Sequence, residues 1–123
     1  MVNKITYVGS NGDLFTIDPD GGNQVNLTGG TRVDPALGGG VSASSIEPTI
    51  QYFWPTWSPN GARLAASRVN TSGVVPKVTV EVFDVVNGGV TTLYENEGPS
   101  LIAEGSPHYF YWSPDSGYLA CSL

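Results

Sequence analysis

The chain has 123 residues, of which 40% are hydrophobic, and this length suits one domain with a core of its own. Only 13% of the residues are charged, and the 16 glycines and nine prolines point to many turns, so a helical bundle or coiled coil is not expected. A net charge of −6 argues against nucleic acid or an anionic membrane as partner. The single cysteine rules out an internal disulfide framework, and no apolar run is long enough for a spanning helix.

Short segments with strand chemistry follow one another along the chain. Residues 5–8 and 14–17 alternate apolar with polar or aromatic side chains, and Val78, Val80 and Val82 share one face of a third segment. Gly, Pro and Asn bound these segments, as turn residues do. The pattern predicts nine strands, at about 4–8, 13–18, 23–28, 52–57, 62–68, 77–84, 89–94, 107–112 and 117–123.

Two internal repeats organise these strands. The segment Trp-Ser-Pro-Asn at 57–60 recurs as Trp-Ser-Pro-Asp at 112–115, an offset of 55 positions. The hairpin at 17–27 matches 83–93 at an offset of 66. Antiparallel strands that recur every 40 to 50 or so residues are typical of a β-propeller blade. We therefore expect an all-β fold, a partial propeller of four-stranded antiparallel blades.

The two hairpin motifs resemble those of TolB-like propeller repeats. Residues 14–28 are similar to the family's third-to-fourth strand hairpin, and residues 57–65 to its W-S-P-D-G hairpin between first and second strands. The same motif occurs in propellers of prolyl-oligopeptidase-type and tricorn-type peptidases. We label the four strands of a blade A to D in chain order. The resemblance then implies strands B, C and D of one blade, a complete blade, and strands A and B of a third (BCD-ABCD-AB), about two and a quarter blades. The pieces are 1–28, 52–94 and 107–123, with a long loop at 29–51. Ser116 departs from the family by standing where a glycine is usual.

The residues with the most distinctive chemistry have structural explanations. Trp57 and Trp112 occupy the same repeat position, which favours packing of one Trp per blade against the next blade over a ligand-stacking pair. The Asp-rich turn at 18–23 resembles a calcium loop, but its twelfth position is Gly29 and strands flank it, so turn hydrogen bonds are the expected role. Asn26 and Asn70 each begin a common glycosylation pattern, to which we give little weight.

The sequence offers no complete catalytic set. His108 is the only histidine, no Gly-x-Ser-x-Gly elbow is present, and no carboxylates are paired on one strand. We therefore expect a non-enzymatic chain with no cofactor and no metal site.

The irregular loops suggest where binding would occur. In an antiparallel blade, successive connections alternate between the two ends of the strands. The long connections, at 28–51, 68–77 and 95–106, therefore lie at the same end. Loops that a rigid scaffold holds in place often carry function. Aromatic runs at 52–54 and 109–111 enter from that end, and exposed aromatics suit a binding surface. The residues predicted to contact a partner are Arg32, Asp34, Tyr52, Trp54, Arg68, Glu104 and Tyr109.

Three functions are compatible with this reading. The first is a binding scaffold for a protein or peptide. The second is the propeller of a serine peptidase whose catalytic domain lies outside this chain, and a polysaccharide lyase propeller is a weaker third.

The family resemblance implies an extracytoplasmic location. Membrane insertion is not expected.

Unpaired blade edges predict assembly. Strand A at 107–112 of one copy could complete the first sheet of another copy, so that each copy contributes two blades. Three copies would then supply six blades in a ring. The strand at 117–123 would have no place in these blades.

Overall fold

The computed structural model describes residues 3–28, 50–72, 77–97 and 108–122. These residues form nine strands. They are β1 (Ile5–Val8), β2 (Leu14–Ile17), β3 (Val25–Asn26), β4 (Ile50–Trp57), β5 (Arg63–Asn70), β6 (Lys77–Asp84), β7 (Val90–Glu97), β8 (His108–Trp112) and β9 (Leu119–Ser122). The chain is all-β, as predicted, and each predicted strand is present with its ends shifted by a few residues at most. The described part contains no helix, so none in it could cross a membrane.

The strands form three antiparallel sheets in chain order. The first sheet is β1-β2-β3, the middle sheet is β4-β5-β6-β7 and the last sheet is β8-β9. Within each sheet every strand pairs with its neighbour in sequence.

The tight turns owe their shape to side chains that bond the backbone. The carboxylate of Asp84 accepts from the N–H groups of Val86 and Asn87, at 3.0 and 2.8 Å, and the latter bond is the main cause of the lowered pKa of Asp84. Gly88 and Gly89 then take the positive φ that this hairpin needs. The prediction of hairpin tips at 18–23 and 87–89 is confirmed.

The Trp-Ser-Pro turns repeat in atomic detail. The hydroxyl of Ser58 accepts from the N–H of Arg63 at 3.0 Å, and that of Ser113 accepts from the N–H of Tyr118 at 2.9 Å. Ser116, equivalent to Gly61, also takes the left-handed φ that glycine favours, 63° against 71°.

Ser116 also links two sheets. It is 2% exposed, its hydroxyl accepts from the N–H of Asn60 at 3.1 Å, and its carbonyl accepts from the guanidinium of Arg63. A glycine would lack the first of these contacts, which gives the serine at this position a physical reason.

Two apolar clusters hold the sheets face to face. The first cluster joins the first sheet to one face of the middle sheet, through Leu14, Tyr52, Leu64, Ala66 and Phe83. The second joins the opposite face to the last sheet, through Ala65, Val80, Val82 and Phe110. The middle sheet is therefore covered on both faces, which explains why side chains on both faces of β5 and β6 are buried.

Each repeated tryptophan packs between two sheets, and its contacts correct the expected direction of packing. Trp57 lies against the cluster that contains Leu14 of the first sheet, and Trp112 lies against the cluster that contains Val80 of the middle sheet. Both therefore pack on the preceding sheet rather than on the next one.

A candidate binding surface at two strand bulges

Two of the strands contain a bulge at the same place in the repeat. The register of β4 with β5 shifts between Phe53 and Thr56, and that of β8 with β9 shifts between His108 and Phe110. Within these shifts lie Trp54 and Tyr109, 55 positions apart, each with a φ of 53°. A bulge commonly redirects a side chain, and such bulges are frequent beside functional sites.

The left-handed backbone at these two residues is costly. For a residue with a Cβ, this conformation costs about 1–2 kcal/mol, and for a bulky side chain it is uncommon. The same strain is present in both copies of the motif, so it belongs to the repeat rather than to one irregular turn. Backbone strain of this kind is a reason to look for function at the residue that bears it.

The two strained residues meet in space. The ring centroids of Trp54 and Tyr109 lie 6.0 Å apart at an interplanar angle of 33°, and Phe53 lies 6.1 Å from Trp54. Trp54 is 48% exposed and Tyr109 is 60% exposed. We name Phe53, Trp54 and Tyr109 the aromatic cluster. It presents large apolar rings to solvent from two adjacent sheets.

A second feature, which we name the groove, lies between the first and middle sheets. It is an open depression of about 450 Å³ lined by Leu27, Thr28, Tyr52, Arg68, Glu81, Phe83, Val90 and Thr92. In its wall, Arg68 Nε lies 3.7 Å from a carboxylate oxygen of Glu81, and the Tyr52 hydroxyl donates to the other oxygen at 3.3 Å. Both contacts are long, so this is a loosely coupled polar group.

The ring of Tyr52 belongs to the core, while its hydroxyl reaches the groove. The residue is 2% exposed. Burial, followed by the negative charge of Glu81, raises the pKa of Tyr52 to about 12. The phenol is therefore a neutral donor at physiological pH.

The predicted partner-binding residues separate into two pairs. Trp54 and Tyr109 lie together in the aromatic cluster, whereas Tyr52 and Arg68 lie together in the groove. The remaining three, Arg32, Asp34 and Glu104, lie outside the described residues.

Phe53 and Glu81 were absent from the predicted site. Phe53 could have been found as the middle member of an aromatic triplet. Glu81 sits in a regular alternating strand, where the sequence gives no sign of its partners.

The described residues contain no group of three or more His, Cys, Asp or Glu side chains that could hold a metal ion. The Asp-rich turn instead bonds its own backbone and neighbours. Asp20 accepts from the N–H of Gly22 at 2.8 Å, and Asp18 pairs with Lys4, the main cause of the lowered pKa of Asp18. What the described surface offers chemically is exposed aromatic faces and, separately, a groove with a polar group in its wall. Comparison with family models, with curated proteins and with solved structures gives no match to this chain.

Proposed function

We propose that this chain is a non-catalytic binding module built as part of a β-propeller, and that it recognises a protein or peptide through the aromatic cluster. The observation that carries the proposal is the shared geometry of Trp54 and Tyr109. Both have a φ of 53° at equivalent bulges, and both remain about half or more exposed. A strained backbone whose side chain stays about half exposed gains little from packing, so a role in recognition accounts for the strain better than a role in stability.

The propeller part of the proposal is supported by repetition. Three antiparallel sheets lie face to face in chain order, and the Trp-Ser-Pro turn repeats its hydrogen bonds in two of them. A rigid stack of this kind holds side chains from adjacent sheets at a constant separation, which a binding surface requires.

Charge indicates which peptides would bind. The chain carries a net charge of −6, which favours cationic partners over anionic ones. Indole and phenol faces attract lysine and arginine side chains. The molecule already contains such a contact, since the guanidinium of Arg63 lies 5.1 Å from the ring centre of Trp112. We therefore propose a peptide segment whose arginine or lysine side chain lies on the aromatic cluster.

The test uses acetyl-Ala-Arg-Ala-amide, with the citrulline peptide as its neutral analogue. Titration into the ¹⁵N-labelled chain should shift the Trp54 indole signal in a saturable manner. The citrulline peptide should bind several-fold more weakly, because a cation–π contact at an exposed site contributes about 0.5–1 kcal/mol.

Two variants make the test specific. Trp54→Gly removes the ring from a position whose φ suits glycine, and it should abolish the saturable shift while the far-ultraviolet circular dichroism stays unchanged. Tyr118→Ala removes an aromatic that is 77% exposed outside the cluster, and it should bind as the unaltered chain does. Absence of a saturable shift, or equal binding by Trp54→Gly, would refute the proposal.

A further inference from the structure

The two equivalent tryptophans differ in one hydrogen bond. The indole N–H of Trp112 donates to the backbone carbonyl of Thr56, in the first strand of the preceding sheet, at 3.0 Å. The indole N–H of Trp57 is buried, yet it has no acceptor among the described residues. A buried N–H without an acceptor is uncommon and destabilises the fold.

The repeat identifies the atom that is lacking. Thr56 lies in β4, which pairs with the edge of β5, and Thr56 stands opposite Ala65 in that pairing. In the first sheet β1 corresponds to β5, since Ile5 pairs with Ile17 as Leu64 pairs with Phe83. The acceptor for Trp57 would therefore be a carbonyl on a strand alongside β1, opposite Thr6.

The edge of β1 that such a strand would use is open among the described strands, because β1 lies at the end of its sheet. The N–H of Gly9 donates to the carbonyl of Asp13, so these two residues form a hydrogen-bonded pair. In an antiparallel ladder, bonded and non-bonded pairs alternate, which makes Tyr7–Phe15 and Ile5–Ile17 bonded pairs and Thr6–Thr16 a non-bonded pair. Ile5 and Tyr7 thus bond β2, whereas the N–H and C=O groups of Thr6 and Val8 point to the open edge.

We propose that β8 of a second copy of this chain pairs with this edge. β8 has the sequence of a first strand, corresponds to β4 at an offset of 55, and lies in a sheet with only β9 described beside it. In this contact β1 replaces β9, whose Ala120 lies opposite Tyr111 in the structure, as the partner of β8. β8 then has the same four-stranded surroundings that β4 has.

The repeat sets the register of this contact. Trp112 of the second copy lies opposite Ile5, and its Tyr111 lies opposite Thr6, as Trp57 and Thr56 lie opposite Leu64 and Ala65. The carbonyl of Tyr111 then accepts both from the N–H of Thr6 and from the indole of Trp57. The Trp112 side chain of the second copy keeps its own bond to Thr56.

The contact is heterologous, since β8 of one copy meets β1 of the next, so copies join head to tail. Sedimentation of the unaltered chain over a wide concentration range should therefore give masses that are multiples of 12.9 kDa. On assembly the Trp57 indole N–H should shift downfield and exchange slowly, while that of Trp112 changes little.

Proline variants test the edge itself. Thr6→Pro removes the donor that faces the open edge and should leave a monomer. Thr92→Pro is the matched control. Thr92 lies opposite Glu81 in a non-bonded pair of β6 and β7, so its N–H faces the outer edge of the middle sheet, where no described strand pairs with it. Its proline variant should therefore assemble as the unaltered chain does.

A milder variant covers the case in which Thr6→Pro does not fold. Trp57→Phe keeps an aromatic ring but loses the N–H together with the second ring of the indole, and the lost hydrogen bond alone should weaken association about fivefold. A monomer at every concentration overturns the proposal, because the strand would then come from the same chain or from nowhere. Association that neither variant changes also overturns it.

Discussion

The hydroxyl of Thr28 donates to the buried carboxylate of Asp13 at 3.0 Å and accepts from the N–H of Leu14 at the same distance. The amides of Asn11 and Asn26 donate to the other carboxylate oxygen, at 3.0 and 3.1 Å. Asp13 is 2% exposed, so this network carries a carboxylate into the packed interior of the first sheet. It also engages the side chains of Asn26 and Thr28, both members of a glycosylation pattern in the sequence.

Removing this carboxylate should destabilise the chain strongly. Asp13→Ala leaves three side-chain donors without their acceptor, and we expect a loss of about 3 kcal/mol in the free energy of unfolding by urea. Asp20→Ala is the control, because Asp20 is exposed and accepts a single turn hydrogen bond, and it should cost about 0.5 kcal/mol. Equal losses in the two variants would show that the network contributes nothing special.

Glycine at Trp54 should be better tolerated than alanine. Both substitutions remove the ring contacts with Phe53 and Tyr109, but only glycine relieves the cost of a φ of 53°. We expect Trp54→Gly to be more stable than Trp54→Ala by about 1 kcal/mol in urea unfolding. The opposite order would mean that the backbone at the bulge is not strained.

Stability should decrease at high pH through Tyr52. Its pKa is about 12 in the folded chain and 10.0 in its ordinary range, so between those values the folded state holds a proton that the unfolded state has lost. The stabilisation is complete below pH 10 and is lost as the pH rises to 12. Tyr52→Phe should have a shallower decline in urea stability over this window, and its absorbance titration at 295 nm should lack the latest phase. Tyr118→Phe should retain both features.

The two repeated indoles should respond differently to loss of the N–H group. Trp112→Phe breaks the bond to the Thr56 carbonyl, and because both variants lose the same part of the ring, it should lower the stability of the dilute chain by about 1 kcal/mol more than Trp57→Phe does. Trp57→Phe removes a buried donor that has no described acceptor, so its hydrogen-bond term should be neutral or favourable. Thermal unfolding of both variants at low concentration measures the difference. A larger loss in Trp57→Phe would mean that its N–H is already satisfied within one copy.

Much of the fold could be predicted because its signals are local. A period of two at 77–83 and turn residues such as Asn87, Gly88 and Gly89 depend on neighbours along the chain, and the predicted strands and hairpins followed from them. The tandem Trp-Ser-Pro motif likewise indicated that two turns would have the same structure, and their serine hydroxyls make the same bond.

The candidate site could be predicted only in part. The aromatic runs at 52–54 and 109–111 pointed to Trp54 and Tyr109, but their close approach depends on how two sheets stack. Tyr52 and Arg68 were grouped with them by position along the strands, whereas their side chains lie in the groove on one face of the middle sheet.

The sequence by itself determined the all-β class, the strand positions and the pairing of neighbours, because these depend on side-chain alternation and turn chemistry within a few residues. Only the tertiary structure decided which polar groups are satisfied. That Asp13 accepts from Asn26 and Thr28 depends on contacts between separate segments of the first sheet, and that Ser116 bridges two sheets and the Trp57 N–H lacks a described acceptor depends on how neighbouring sheets pack. Such contacts follow from the bulges and the stacking of the sheets, which residue order along one strand does not encode.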